Sequence, residues 1–367
     1  FLGYETIEEK VEVKAGETVT INKALGSGSY QLKDVVIQNT VSREKETALL
    51  LDQKKSVEIK QSIGAQELSR KGVTDVATAV TKTTGITKQE GSGNIFVRGL
   101  GDRYNSTTMN GLPIPSNDPE KKNLNLEIFS TDIVESVSID KVYSSRLFGD
   151  FAGGNVDIIS KDYKGKGFLR LDVGSKINTN AVNENNFNLQ KGYSSFGFDT
   201  ATIPNNPLNS YGFNTLQLES KSPIGSSFGI SGGKNFEVGS NGKLTLFATA
   251  NFTNEYTSIT EGSVKSINGM GVANKDFEDF TSMAYNTNFT AMGNVGYKMN
   301  ANHKISFNTV FINTSSLSKE EYSGFFVDGA EDGNGFIRRN KYEKNTLWIN
   351  QLLGDHKLTE RSKFNWG

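Results

Sequence analysis

The sequence predicts a β-barrel membrane protein: the remnant of a small β-sandwich, then a mixed α/β domain, then the first strands of a barrel. Three observations support this fold class. Apolar and polar residues alternate in successive stretches from Gly167 onward, and the connections between these stretches are alternately long and short. No apolar run approaches the ~20 residues that a membrane-spanning helix needs. The mean hydropathy of −0.45 suits a barrel, because only alternate residues of its strands face lipid.

The composition argues against several classes of function. A formal net charge of −1 over 367 residues gives no sign of a nucleic-acid-binding chain. The absence of cysteine excludes a disulfide framework and a thiolate metal site. The two histidines, His303 and His356, belong to no zinc-binding pattern. We therefore expect no catalytic residue, no metal, no cofactor and no enzymatic activity.

Residues 1–38 are predicted to be the end of the small β-domain. Four β-branched residues alternate with polar neighbours on either side of a turn at Gly16, as in a hairpin. These residues are Val11, Val13, Val19 and Ile21.

Residues 39–55 are predicted to be a charged linker with one helical turn, and residues 56–165 a compact α/β domain. Thr74 is a suitable N-cap for a helix that carries Val76 and Val80, and Gly85 is placed to end that helix. Val134, Val137 and the stretch 139–142 predict a short helix that runs into a strand, and the valine and isoleucines at 156–159 predict another.

Residues 166–367 are predicted to form the barrel strands. The alternating pattern gives seven strands, which start near residues 167, 225, 243, 285, 304, 340 and 363. Long connections (178–224, 257–284 and 315–339) alternate with short ones, the asymmetry that outer-membrane barrels show between extracellular loops and periplasmic turns. Seven strands would leave two open edges, which a bilayer does not tolerate, so we expect the barrel to continue beyond this sequence.

The two faces of these strands can be assigned from the alternation. Residues predicted to face lipid are Leu169, Leu171, Leu246, Ala248, Phe289 and Val295. Residues predicted to face the lumen are Arg170, Thr245, Asn251 and Asn294. Tyr285 and Tyr297 share the lipid-facing side, and at ~3.3 Å per residue and ~40° tilt they are ~30 Å apart along the membrane normal, near the spacing of aromatic girdles.

Two linked stretches carry a family resemblance. They read IFVRGLGDRYNSTTMNGLPIP at 95–115 and EIFSTDIVESVSIDKVYSSRLFGDFAGGNVDIISK at 127–161. Their content and order resemble the plug domain of TonB-dependent outer-membrane receptors. The opening stretch FLGYETIEEKVEVKAGETVTINKAL resembles the last strands of the carboxypeptidase-regulatory-like sandwich that precedes many such receptors in Bacteroidetes. The resemblance implies that 56–165 is a plug seated in the lumen of a barrel of about 22 strands.

The plug motif contains the residues singled out by this resemblance: Arg98, Gly99, Gly101, Arg103, Asn110, Gly111, Pro113, Gly153 and Gly154. The glycines around Leu100 suit tight backbone geometry. We expect Arg98 and Arg103 to pair with carboxylates, because a charge inside a lumen needs a partner or water. We expect Gly153 and Gly154 to let the plug backbone lie against the barrel wall.

A short acidic-then-apolar segment resembles the TonB box, the handle for the energy-transducing protein TonB. Its residues are Asp34, Val35, Val36 and Ile37. An extended segment of this kind can add to a partner's sheet through main-chain hydrogen bonds. The same residues also suit the last strand of the preceding domain, and both roles remain open.

Candidate ligand contacts lie in the third long connection. Tyr322, Phe325 and Phe326 are exposed to a ligand there if they do not pack against neighbouring loops. The oxygen-rich stretch from Asp328 to Asn334 lacks the spacing of a calcium loop and is read as solvated.

The function implied by the resemblance is TonB-dependent uptake of a scarce ligand across the bacterial outer membrane. The implied partners are TonB, outer-membrane lipids and an unidentified ligand. A surface lipoprotein is less favoured, because Asn110-Gly111-Leu112-Pro113 departs from the starch-utilisation pattern. The alternative is a plugged barrel that acts as a structural or docking part of a secretion or motility machine, since a fold does not fix its cargo.

Overall fold

The computed structural model describes most of the chain. The described residues are 7–24, 44–56, 59–89, 93–116, 122, 124–145, 147–165, 167–200, 205–206 and 217–367. The chain divides into two compact units, Phe1–Val41 and Ser42–Gly367. No helix in these ranges is long and apolar enough to cross a membrane.

In the first unit, the turn predicted at Gly16 is present. Gly16 has φ +90°, and the Glu17 N–H donates to the Lys14 carbonyl over 3.1 Å. Residues 7–24 contain no strand, however, and are exposed, so the predicted hairpin is limited to its turn within this stretch. The assignment of 1–38 to a β-sandwich remains a prediction.

The second unit begins with a helix where the sequence predicts a linker. Helix α1 (Glu46–Lys55) spans ten residues, buries Ala48 and Leu49, and packs near strand β1 (Lys60–Gly64). The prediction of a single turn was too short, because Ala48 and Leu49 find a packing surface that the local sequence does not reveal.

The α/β domain has a five-stranded sheet. Its remaining helices are α2 (Ala65–Arg70) and α3 (Val76–Val80), and its further strands are β2 (Ile86–Lys88), β3 (Ile95–Val97), β4 (Asn105–Met109), β5 (Leu112–Pro113), β6 (Val134–Asp140) and β7 (Gly154–Ser160). The sheet order is β1-β6-β7-β4-β5, and only the β4–β7 pair is parallel. Strands β2 and β3 form a separate hairpin.

Helix α3 is capped one residue later than predicted. Asp75, not Thr74, is the N-cap, and its carboxylate accepts a hydrogen bond from the Thr78 N–H at 2.8 Å. The carboxylate reaches the third helical N–H and satisfies one of the unpaired donors of the first turn. The helix ends at Val80, and Gly85 lies in the following turn with φ +80°.

The barrel part is a single antiparallel sheet of seven strands. They are β8 (Gly167–Ile177), β11 (Ile224–Val238), β12 (Gly242–Ile267), β13 (Ala273–Lys298), β14 (His303–Phe326), β15 (Ala330–Lys357) and β16 (Lys363–Trp366), paired in chain order. Between β8 and β11 lie helix α4 (Thr179–Asn183) and the paired strands β9 (Asn188–Gln190) and β10 (Leu218–Ser220). This sheet is part of the wall of a β-barrel.

Two of the predicted long loops are strands. Residues 257–284 and 315–339 extend β12 to β15 into tall hairpins, whose turns occupy only 268–272 and 327–329. With 24–28 residues, these strands exceed what the membrane requires. The prediction was wrong because the regular alternation of apolar and polar residues weakens beyond the membrane, where lipid no longer requires one apolar face.

The α/β domain packs on one face of the wall. Its apolar core continues into five wall side chains, which belong to the same buried cluster: Phe247, Met292, Val310, Ile312 and Ile349. Asn294, predicted to face the lumen, is 3% exposed on this inward face. Leu169 and Leu171, predicted to face lipid, are 73% and 70% exposed on the opposite face.

Candidate functional site

The motif glycines form two tight turns at the edges of the α/β domain. Arg98 and Gly99 have φ of +53° and +79°, and Asn110 and Gly111 have the same two values. Positive φ at both central residues is the signature of a type I′ turn, which asparagine and glycine favour. The second turn joins β4 to β5 and places Asn110 at the inward face of the wall.

Asn110 connects the domain to the barrel wall. Its Oδ1 accepts a hydrogen bond from the Ser160 N–H at 3.0 Å, and its Nδ2 donates to Gln351 Oε1 at 2.8 Å. Gln351 Nε2 donates in turn to the Met109 carbonyl at 2.8 Å. Gln351 is 7% exposed, so this reciprocal pair is shielded from water.

Asp157 stabilises the turn between β4 and β5 through hydrogen bonds. Its Oδ1 accepts hydrogen bonds from the Thr108 hydroxyl and from the Gly111 N–H, both at 2.8 Å. Burial raises the pKa of Asp157 above 3.8, while the bonds from Gly111 and Thr108 and the charge of Lys60 oppose that rise.

The variant Asp157→Asn should change how plug stability depends on pH. The pKa of Asp157 is higher in the folded domain than in the unfolded chain, so its protonated form stabilises the folded state. This stabilisation is complete below the unfolded-state pKa and is lost as pH rises through the folded-state pKa. Asparagine does not ionise, so the variant should gain stability relative to the parent as pH rises from below 3.8. Denaturant titrations of the plug over a pH series measure this difference. The matched control is Asp150→Asn, and parallel curves for parent and Asp157→Asn would contradict the prediction.

Two further polar contacts join the domain to the wall. Lys304 of β14 forms an ion pair with Asp162, and Asn288 Nδ2 of β13 donates to the Ile128 carbonyl at 3.4 Å. Each such hydrogen bond contributes roughly 0.5–1.5 kcal/mol net. The interface is therefore an apolar contact held in register by a few polar bonds.

The predicted arginine ion pairs are not formed within the described residues. Arg98 and Arg103 are both exposed, and neither contacts a carboxylate of the described chain. Arg98 lies near Lys141 instead. Burial, and then the charge of Arg98, lower the pKa of Lys141, whose ammonium group donates to the Thr84 carbonyl.

Gly153 and Gly154 pack inside the α/β domain, not against the wall as predicted. A Cβ on Gly153 would lie 2.4 Å from Asn105 Oδ1, and one on Gly154 would lie 3.0 Å from Val97 Cγ1. Gly101 has a similar role, because its Cβ would lie 2.5 Å from the Phe96 ring. These glycines allow close approach of segments within the domain. Pro113 ends the short strand β5.

The three candidate ligand residues lie in the tall part of β14. Tyr322 is 7% exposed and packs edge-on against Phe277 at 4.8 Å. Phe326 also contacts Phe277, at 6.1 Å, and Phe325 pairs with Asp276. Aromatic packing between hairpins therefore accounts for Tyr322 and Phe326, and a role in ligand binding remains a prediction.

Two other sequence features remain, the TonB-box candidate and the oxygen-rich stretch 328–334. Asp34, Val35, Val36 and Ile37 lie outside the described residues. In the stretch 328–334, Asp332 accepts hydrogen bonds from Asn334, and no group of three or more metal-ligating side chains occurs among the residues that the structure describes.

Gln351, Lys304 and Asn288 were not singled out in the sequence. Each occupies a polar position in an alternating strand, so its orientation could have been read from the pattern. Its partner could not, because Asn110 and Gln351 are separated by 241 positions along the chain.

A known family model overlaps the α/β domain. Residues 52–156 match the family model described as the TonB-dependent Receptor Plug Domain. No curated protein matches the chain.

Solved structures of three receptors are similar at low identity. The ferric-catecholate import receptor Fiu of E. coli is 10% identical over 84% of this chain and 68% of its own, with a TM-score of 0.33. The Pseudomonas aeruginosa ferric enterobactin receptor PfeA is 12% identical over 85% of this chain and 48% of its own, with a TM-score of 0.36. The Acinetobacter baumannii siderophore receptor PiuA is 14% identical over 82% of this chain and 43% of its own, with a TM-score of 0.39. The chain thus spans less than two thirds of the length of PfeA and PiuA.

The match to a plug-domain model and the antiparallel barrel wall together indicate where the protein is located. It lies in the bacterial outer membrane.

Proposed function

We propose that the protein is a TonB-dependent outer-membrane receptor that takes up a scarce ligand. The α/β domain acts as a plug that blocks the barrel, and force from the inner membrane, transmitted by TonB, displaces part of it. The protein binds and passes its ligand without reacting with it. The plug-domain match over 52–156 is the observation that carries this proposal.

The plug–wall contact suits a plug that is held firmly and released under force. Its core merges with wall residues such as Met292 and Ile312, which favours a seated plug. The polar bonds between them are few in the described chain, with Asn110–Gln351 and Asp162–Lys304 the clearest. Bonds of this strength can be broken one after another without unfolding the wall.

The handle that we propose for TonB is the segment from Asp34 to Ile37. Valine and isoleucine favour extended backbone, and an extended segment can pair with a partner's sheet edge. Between this segment and the plug, the chain contains helix α1 and a few residues on either side of it. Tension on the segment is therefore transmitted first to the N-terminal end of the plug.

The variant Val36→Pro tests the handle. Proline removes a backbone donor and should weaken binding of the purified periplasmic domain of TonB to the full-length receptor by about tenfold or more, equivalent to ~1.4 kcal/mol. Isothermal titration calorimetry measures the affinity. In cells, the variant should keep surface binding of its ligand and lose energy-dependent uptake.

The matched control is Val36→Thr, which keeps the N–H group and the β-branched shape and should bind TonB normally. If Val36→Pro binds TonB and supports uptake like the parent, the handle lies elsewhere and these residues only end the preceding domain.

A further inference from the structure

Polar side chains lie on the outward face of the wall where lipid-facing residues are expected. Thr287 and Ser315 pair across β13 and β14, between the rung of Tyr285 and the rung of Phe289. Asn313 pairs with Phe289 and shares its face. The three polar residues are only 4%, 7% and 1% exposed. Something other than lipid therefore covers them.

The covering element is a segment between β8 and β11. Residues 187–199, called the outer strap below, cross the wall on the face opposite the plug. Phe187 and Leu189 anchor the strap and are 2% and 0% exposed. They belong to one buried cluster with Met283 and Leu317 of the wall.

The polar wall residues satisfy the backbone of the strap. The Tyr285 hydroxyl donates to the Ser195 carbonyl at 2.6 Å, and Asn313 Nδ2 donates to the Gly197 carbonyl at 2.9 Å. Irregular backbone that is exposed to lipid does not occur within the hydrocarbon region, because its polar groups would lack partners. The strap also carries the Asp199 carboxylate, which accepts hydrogen bonds from the Ser194 N–H and hydroxyl at 2.8 Å. Its backbone therefore suits the headgroup level, at the upper edge of the apolar band.

Two phenylalanines of the strap face away from the lumen. Phe196 is 63% exposed and lies 5.4 Å from the Phe252 ring, and Phe198 is 46% exposed and lies 5.6 Å from the Phe289 ring. Phe289 is eight residues above Tyr297 on β13, which corresponds to ~20 Å along the membrane normal at ~40° tilt. That height falls within the ~25 Å apolar band of an outer-membrane barrel.

We propose that the outer strap lies at the headgroup level of the outer leaflet and that the Phe196 and Phe198 rings insert from there among the lipid acyl chains. The strap replaces the bare wall as the lipid-facing surface and shields the polar residues behind it. This inference rests on the position of the wall in the outer membrane and does not depend on uptake or on TonB.

Site-directed spin labelling tests the insertion, because this chain contains no cysteine. Phe196→Cys, in the full-length protein made otherwise cysteine-free, is labelled and reconstituted into phosphatidylcholine nanodiscs. The label should collide with oxygen several-fold more often than with a water-soluble nickel complex. Leu171→Cys, 70% exposed on the wall, is the lipid reference, and Met270→Cys, 85% exposed at a hairpin tip, is the aqueous reference. Accessibility at 196 that matches Met270→Cys would overturn the proposal.

Gly197 provides a second and independent test. It has φ +71°, and a Cβ there would lie 2.1 Å from Thr287 Oγ1 and 2.3 Å from Ser315 Oγ. Gly197→Ala should lift the strap and move the label at 196 from lipid to water. Gly271→Ala, with φ +78° and no atom within 4 Å of the added Cβ, imposes the same backbone cost without a clash. A label that stays in lipid in Gly197→Ala would overturn the part of the proposal in which contact with the Thr287–Ser315 rung holds the strap in place.

Discussion

Replacing Phe129 with alanine is expected to lower the free energy of unfolding of the plug by about 3–5 kcal/mol. Phe129 is completely buried in the core cluster of the plug, and its carbonyl accepts the Val76 N–H at the start of α3. Removing the ring leaves a cavity that the surrounding sheet and helix cannot close. Hydrogen exchange of plug amides in the full-length protein measures the loss.

The wall should be little affected, since its stability comes from strand pairing around the sheet. Phe148→Ala is the matched control, because Phe148 is in the same domain but 55% exposed. If Phe129→Ala leaves plug amides as protected as in the parent, the plug is not held together by this core.

An arginine in place of Ile230 should destabilise the folded barrel by ~2–4 kcal/mol, the cost of a charge at the bilayer midplane. Ile230 pairs with Leu171 and Ala250, and Ala250 pairs with Ala291 on the same outward rung. That rung is six residues above Tyr297, or ~15 Å along the normal, near the middle of the apolar band. Urea titration of the full-length protein in lipid measures the effect.

The control for this charge is Ile267→Arg. Ile267 is 70% exposed at the far end of β12, beyond the membrane, and its replacement should change stability by less than about 0.5 kcal/mol. Equal costs at the two positions would mean that Ile230 does not face lipid. Phe289, which the sequence also predicts to face lipid, lies one rung higher beside Phe198, so we expect a smaller penalty for a charge there.

The wall was largely predictable from the sequence, and its upper part was not. Five of the seven strands begin within one residue of the predicted start. The starts of β13 and β15 were placed about ten residues too late, because the alternation that lipid imposes stops at the membrane boundary. Above it, main-chain pairing continues the strands, together with aromatic packing such as that of Tyr322 on Phe277.

The contacts between the plug and the wall could not be predicted from the sequence, for a different reason. The Asn110-Gly111 pair predicts a tight turn by itself, since both residues accept positive φ. That the turn meets Gln351 depends on the register of five intervening wall strands, and no local pattern encodes it. Likewise, Thr287 and Ser315 interrupt an outward apolar face, yet only the fold shows that the strap covers them.

The central claim is that the α/β domain closes the barrel. Conductance of the full-length protein in planar bilayers, with and without residues 46–161, tests it most directly. Loss of folding in the shortened protein is checked by the heat-dependent mobility of intact barrels in gels. We predict that the parent conducts almost no ions and that the shortened protein forms a large, permanently open pore. Equal conductance of the two proteins, with both barrels folded, would contradict the account.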